Sequence, residues 1–260
     1  MEWGPLTPGR FVRRLNRFAA LVDVRGRRAR AHVANSGRLR ELFVPGRRVY
    51  LQARGREGRR CPYDLVLVRL RGTLVSADAR LPNALVAEAL AAGRIAPLRG
   101  FGRVRREVRH GASRLDFSLE GRRGRCLVET KSVTLVAGGV ALFPDAPTAR
   151  GRRHVEALAR ARRRGTQAAV IFVVQRDDAE RFRPNVAADP TFARALARAA
   201  GAGVRILAYR CRVTPQAIAL ADRIPVHLSS DEREKRFRNP RGGRVRGPSA
   251  NDEDLGGRPS

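Results

Sequence analysis

The chain reads as a five-stranded OB-fold barrel followed by an α/β domain with a mixed sheet, and three observations carry that reading. Short strand-like runs crowd residues 11–78, the hydrophobic period changes after residue 80, and residues 229–260 hold almost no apolar side chains. With 260 residues and 43% apolar content the chain can bury cores in two domains. The expected organisation is a nucleic-acid-binding barrel over 1–80, the α/β domain over 81–228 and a disordered tail over 229–260.

The runs "RFAALVDV", "RRARAHV", "RRVYLQAR", "YDLVLVRL" and "GTLVSAD" are separated by Gly, Pro, Asn and Asp turn signals. Five strands in so short a stretch predict a small barrel, and the OB-fold is a barrel whose face binds oligonucleotides. "NSGRLRELFVPG" reads as one helical turn between strands. From "LPNALVAEALAAG" onward Leu85, Val86, Ala89 and Leu90 make a helical stripe, with Asn83 as its expected cap and Gly93 as its stop. Strands follow at "RVRREVR", "SRLDFSLE" and "RCLVETKSVTLV". A helix then runs from Thr148 to Gly165, followed by the buried strand "AAVIFVV", the helix "DPTFARALARAAG" and the strand "GVRILAY". Helices interleaved with strands in this order predict a layered α/β architecture.

The formal charge is +30, and residues 229–260, with eight basic and six acidic side chains, account for only +2 of it. The charge belongs to the folded part and predicts a polyanionic partner, DNA first and RNA second. Arg38, Arg40, Arg47 and Arg48 are the barrel's candidate phosphate contacts. Phe11, Phe18, Phe43, Tyr50 and Tyr63 read either as stacking platforms or as core. The tail's "RGGRVRG" reads as a phosphate contact or as passive. No apolar run is long enough to span a bilayer and the N-terminus lacks a secretory pattern, so a cytoplasmic location with no membrane partner is expected. Cys61, Cys126 and Cys211 have no zinc-ligand spacing and are expected as buried reduced thiols.

Of the 54 basic residues only Lys131 and Lys235 are lysine, and Lys131 lies in the apolar stretch "LVETKSV". If "SRLDFSLE-GRRG-RCLVETK" is a hairpin with a four-residue loop at 121–124, residue 120 faces 125 and Asp116 faces Glu129. Alternation places Lys131 on the same strand face as Glu129, so Asp116, Glu129 and Lys131 converge. Two opposed carboxylates repel and call for a cation, and Mg²⁺ or Mn²⁺ suits a site of one or two carboxylates with waters and substrate phosphate. Lysine offers a compact, proton-exchanging charge where arginine does not. These three are the candidate catalytic residues, with Asp116 and Glu129 also as metal ligands.

Asp116 followed by Glu129-x-Lys131 resembles the PD-(D/E)XK nuclease motif, with Leu115 where the eponymous proline would stand. The blocks "NSGRLREL", "YDLVLV", "LPNALVAEAL", "SRLDF", "CLVETKSVTL", "FPDAPTARGRRH", "VVQRDDAERFRPN" and "AYRCRVTP" resemble the sugar fermentation stimulation protein A family over roughly residues 11–228. That resemblance implies an N-terminal OB-fold, a restriction-endonuclease-like C-terminal domain, DNA binding and a regulatory association with bacterial sugar catabolism.

Four further candidates attach to this frame. Glu88 resembles the first-helix acid that some such nucleases use as an extra metal ligand, although it lies off its helix stripe and fits a solvated residue as well. Asp145 in "FPDAPT" is a candidate metal ligand or a turn residue. Arg150 and His154, at i and i+4, form a candidate phosphate clamp, His154 fitting a core position equally. Two functions compete: a nucleic-acid-binding protein with a Mg-dependent phosphodiesterase site, and a non-catalytic DNA-binding regulator of sugar (maltose-type) catabolism. No Ser-His-Asp set, Walker loop or cysteine-nucleophile context appears.

Overall fold

A ring of five strands closes the N-terminal part: β1 (Leu6–Asn16), β2 (Ala19–Val24), β3 (Arg27–His32), β4 (Arg48–Ala53) and β5 (Tyr63–Leu70). The order is β3-β2-β1-β4-β5, and parallel pairing of Ala31 with Tyr63 and His32 with Asp64 brings β3 back against β5. The structure, a computed structural model, describes residues 1–54, 60–111 and 113–228. The tail expected to be disordered, 229–260, lies outside the described residues.

The barrel is the expected one with one strand exchanged. The run "GTLVSAD" supplies β6 (Thr73–Ser76), which pairs with β5 outside the ring. The missing member is β1, which the sequence hides. It carries Pro8 and Gly9, and register shifts at Phe11/Arg13 and Arg14/Asn16 break its alternation. Pro8 pairs with β4 alone, which is where a residue without an N–H is tolerated. Between β3 and β4 a single turn forms, with the Leu42 and Phe43 N–H groups donating to the Leu39 carbonyl. Phe11 is core, stacked on Phe43 at 5.0 Å, whereas Phe18 is 50% exposed.

The second part begins at α1 (Leu81–Ala91) and continues with β7 (Phe101–His110), β8 (Ser113–Gly121), β9 (Gly124–Val133), β10 (Val136–Ala137) and β11 (Val140–Phe143). Then come α2 (Ala149–Arg163), β12 (Gln167–Val174), β13 (Arg181–Pro184), α3 (Pro190–Gly201), β14 (Arg205–Val213) and β15 (Ile218–Ile224). Six strands form a mixed sheet in the order β15-β14-β12-β9-β8-β7, with β9, β12 and β14 parallel. β10, β11 and β13 form a small sheet of their own.

β12 reads as an unbroken apolar run because both its faces are covered. Ala169, Ile171 and Val173 join the core under α1, while Ala168, Val170, Phe172 and Val174 join the core under α2 and α3. β5 is doubly buried for a different reason: Leu65 and Val68 fill the barrel, and Val66 and Leu67 belong to the core under α1. Asp64, buried on β5, accepts from Arg54 at 2.7 Å and from Arg80 at 3.2 Å, tying the start of α1 to the barrel. Cys126 and Cys211 are buried free thiols; Cys61 is only half-buried. No helix among the described residues is long and apolar enough to cross a membrane.

Candidate functional site

The β8–β9 ladder runs Gly121↔Gly124, Glu120↔Arg125, Leu119↔Cys126, Ser118↔Leu127 and Phe117↔Val128, the register the sequence predicts. The loop is tighter than the four residues expected. Gly121 and Gly124 themselves pair, leaving Arg122 and Arg123 as the turn, and Gly124 supplies the positive φ of 84° that closes it. The ladder stops one step short of Asp116 and Glu129.

Where it stops, the Asp116 side chain takes over. Its Oδ2 accepts from the Thr130 N–H at 2.7 Å and its Oδ1 from Asn83 Nδ2 at 2.8 Å. Asn83 is therefore not the cap of α1. Arg80 holds the cap position without a side-chain bond, and Pro82 in the first turn favours the helix start. Asn83 sits inside the helix and tethers Asp116 instead.

Glu129 is almost wholly buried, and one of its oxygens carries two contacts. Lys131 Nζ donates to Oε1 at 2.5 Å, and His154 Nδ1 contacts the same atom. Its other oxygen, Oε2, is buried with no hydrogen-bond partner among the described residues. Burial pushes the Glu129 carboxyl up, but the His154 and Lys131 contacts outweigh it and hold the group below its ordinary value. Asp116 shifts the other way, raised by burial and then by the facing Glu129 charge. The two acids and Lys131 thus form one electrostatic unit.

This set fits a hard divalent cation in part. Asp116 and Glu129 offer carboxylate oxygens, and Glu129 Oε2 is an orphaned buried acceptor of the kind a cation satisfies. No group of three or more His, Cys, Asp or Glu side chains is placed to hold a metal among the described residues. Any further ligands would have to be water, backbone or substrate oxygens. Glu88 is not brought to the cluster. It lies exposed on another face of α1, bound to Arg94 at 3.0 Å and 3.5 Å from the Met1 amino group. Asp145 is not there either: its Oδ2 accepts from the backbone N–H groups of Arg38 at 2.8 Å and Leu39 at 3.4 Å.

The expected phosphate contacts divide in the same way. His154 is buried against Glu129, whereas Arg150, one turn earlier, is exposed, so the two do not form a joint clamp. Arg150, Arg38 and Arg40 line a cleft of about 1230 Å³ between the barrel and the α/β part. Arg47 is half-buried and donates to the Glu41 carbonyl, a turn-holding role, and Arg48 is exposed on β4 outside the cleft.

Sequence reasoning missed Asn83's role, Thr130 and Arg14. Arg14 Nε donates to Asn16 O, Nη1 to Gly37 O and Arg38 O, and Nη2 to Arg17 O and Asn35 O. All five donors of the guanidinium are used on the loop beneath the cleft. No signal marked Arg14 because its strand was itself unread.

Comparison with known proteins covers both parts. The family model described as "SfsA N-terminal OB domain" matches residues 12–77, and "Sugar fermentation stimulation protein RE domain" matches residues 80–217. A sugar fermentation stimulation protein homolog of Moorella thermoacetica is 48% identical over 220 residues, 84% of this chain and 95% of that protein. A homolog from Chloroflexus aurantiacus is 45% identical over 225 residues, 86% of this chain and 87% of that protein. The solved structure of Pyrococcus furiosus SfsA in complex with Ca²⁺ superposes with a TM-score of 0.80 at 34% identity, covering 87% of this chain and 98% of that one. With barrel, mixed sheet and the Asp116–Glu129–Lys131 strand pair all in place, the chain belongs to the sugar fermentation stimulation protein family.

Proposed function

We propose that this protein binds nucleic acid and carries a Mg²⁺- or Mn²⁺-dependent phosphodiesterase site at Asp116, Glu129 and Lys131. One observation carries the reading: Glu129 Oε2 is buried and unpartnered beside a second carboxylate, Asp116, whose own proton affinity is raised by burial and then by the Glu129 charge. A solved relative from Pyrococcus furiosus is in complex with Ca²⁺, so a protein similar to this one takes a divalent cation, and the OB barrel and the charge of +30 support a polyanionic substrate.

Each side chain then has a task. Asp116, held by Asn83 and the Thr130 N–H, and Glu129, held through Oε1, would be the metal's protein ligands. When bound, a divalent cation supplies charge stabilisation at a phosphoryl oxygen and lowers the pKa of a bound water. Lys131, 12% exposed, presents an ammonium for a phosphate oxygen or a water. His154 fixes Glu129 and is a positioning residue.

Incubation with labelled single- and double-stranded DNA and RNA, with Mg²⁺, with Mn²⁺ and with EDTA, tests this. Cation-dependent cleavage lost in EDTA is expected, and cleavage of none of the four under any condition refutes the enzyme. The competing reading, a non-catalytic DNA-binding regulator of sugar catabolism, is favoured by one feature. Lys131 and His154 already occupy the same Glu129 oxygen, as in a self-contained ion network.

A further inference from the structure

The cleft between barrel and α/β part has walls of opposite origin and one electrostatic sign. Arg17, Arg38 and Arg40 come from the barrel side and Arg150 from the start of α2, and all four are exposed. Among the described residues one carboxylate lines the cleft, that of Asp145, and its Oδ2 accepts from the N–H groups of Arg38 and Leu39. The loop bearing Arg38 and Arg40 is held from two sides, by Asp145 on its amides and by Arg14 on its carbonyls. Gly37 permits this closeness: a Cβ there would lie 2.8 Å from Asp145 Oδ2. The backbone is thus satisfied internally, and the guanidinia of Arg38 and Arg40 are left to face a ligand.

We propose that this cleft is a channel for a single strand of nucleic acid, an inference that rests on the nucleic-acid function proposed above. Its volume of about 1230 Å³ equals a cube about 11 Å on edge. The major groove of a duplex is alone about 12 Å across, so a cleft of this volume suits one strand better than two. One strand has room there: pockets of roughly 300–1,000 Å³ already hold drug-sized ligands, so the cleft can take a short run of nucleotides. Cationic walls with a nearby aromatic face are how single strands are held without base readout. Phe18, 50% exposed, follows the cleft-lining Arg17 in the chain, although it is not itself among the lining residues. The α/β wall starts at Ser132, directly after Lys131, and includes Thr148 and Arg150, one turn before His154. A strand in the cleft therefore runs up to the end of β9 that bears Glu129 and Lys131, although neither side chain lines the cleft itself.

The test is binding without catalysis. In EDTA at about 0.1 M salt, the full chain is titrated into fluorescein-labelled oligo-dT and oligo-rU of about 12 nucleotides, and into a duplex of the same length, and anisotropy is read. The parent should bind one or both single strands at least about tenfold tighter than the duplex, and the tighter of dT and rU identifies the source. Arg38→Ala with Arg40→Ala and Arg150→Ala should weaken single-strand binding at least about tenfold. Arg103→Ala with Arg105→Ala and Arg106→Ala, an equal charge loss on exposed positions of β7, should change it by less than about threefold. Equal or tighter duplex binding, an unaffected cleft variant, or a matching loss in the β7 variant each overturns the channel. Cleavage plays no part in the readout. Strand binding without cleavage in Mg²⁺ would sink the phosphodiesterase and leave the channel standing.

Discussion

Asp116 Oδ2 and the Thr130 N–H meet at 2.7 Å at the point where the β8–β9 ladder ends. A side chain has replaced a strand rung. The exchange opens the hairpin beside Glu129 and fixes a carboxylate there that is raised by burial and by its acidic neighbour.

From that raised value a stability effect follows. An acid whose folded pKa lies above its unfolded one contributes stability below the unfolded value, and that contribution is lost as pH rises through the folded one. Above that folded value, ionised Asp116 is therefore a standing destabilisation in the metal-free protein. Glu129 has the opposite sign: its depressed value contributes stability above the unfolded pKa, lost as pH falls through the folded one. Asp116→Asn should leave the metal-free protein as stable or more so at neutral pH. Mg²⁺ at about ten times its Kd should stabilise only the parent, by about 1.4 kcal/mol or some 2–4 °C. Thermal melts of both proteins in Mg²⁺ and in EDTA decide it, and a destabilised variant beside a parent blind to Mg²⁺ would falsify the metal site.

Lys131→Arg keeps the charge and removes the compact ammonium. Cleavage should fall to a small residue while oligonucleotide affinity in EDTA stays within about threefold. Undiminished cleavage would reduce Lys131 to a counter-ion for Glu129.

His154→Ala withdraws one of the two contacts on Glu129 Oε1 and leaves a buried carboxylate less compensated. Urea unfolding at pH 7 should show a loss of about 1–3 kcal/mol with an unchanged slope. Cleavage should fall with it, and nucleic-acid affinity should not. A variant as stable as the parent would show that the contact does no structural work.

Asp145→Ala releases the Arg38 and Leu39 amides and unlocks the loop from the α/β side. Single-strand affinity in EDTA should drop about three- to tenfold, since the arginines then lose their preset position. Mg²⁺ stabilisation should be unchanged. A loss of the Mg²⁺ response would instead return Asp145 to the metal site.

The sequence displayed the hairpin register plainly, because Gly121 and Gly124 bracket it and the apolar positions on both strands agree. It displayed the barrel in outline and misassigned one strand. β1, with Pro8, Gly9 and two register shifts, has no period to detect. Asn83 read as a cap because helix starts attract Asn; Pro82 already served the start, and nothing local says what an amide inside a helix will reach. Glu88 and Asp145 were placed by analogy and by proximity along the chain. Their partners, Arg94 and the amides of Arg38 and Leu39, are set by packing between segments far apart in sequence. The parallel pairing of β11 with β13 has the same character and the same invisibility.

β5 gives Leu65 and Val68 to the barrel and Val66 and Leu67 to the sheet domain, and Leu74 of β6 sides with the latter. A chain cut after residue 80 would leave those three side chains facing water. The two modules that read as separable along the sequence should therefore melt together, and trading either for a homologous module would require the shared strand to be rebuilt.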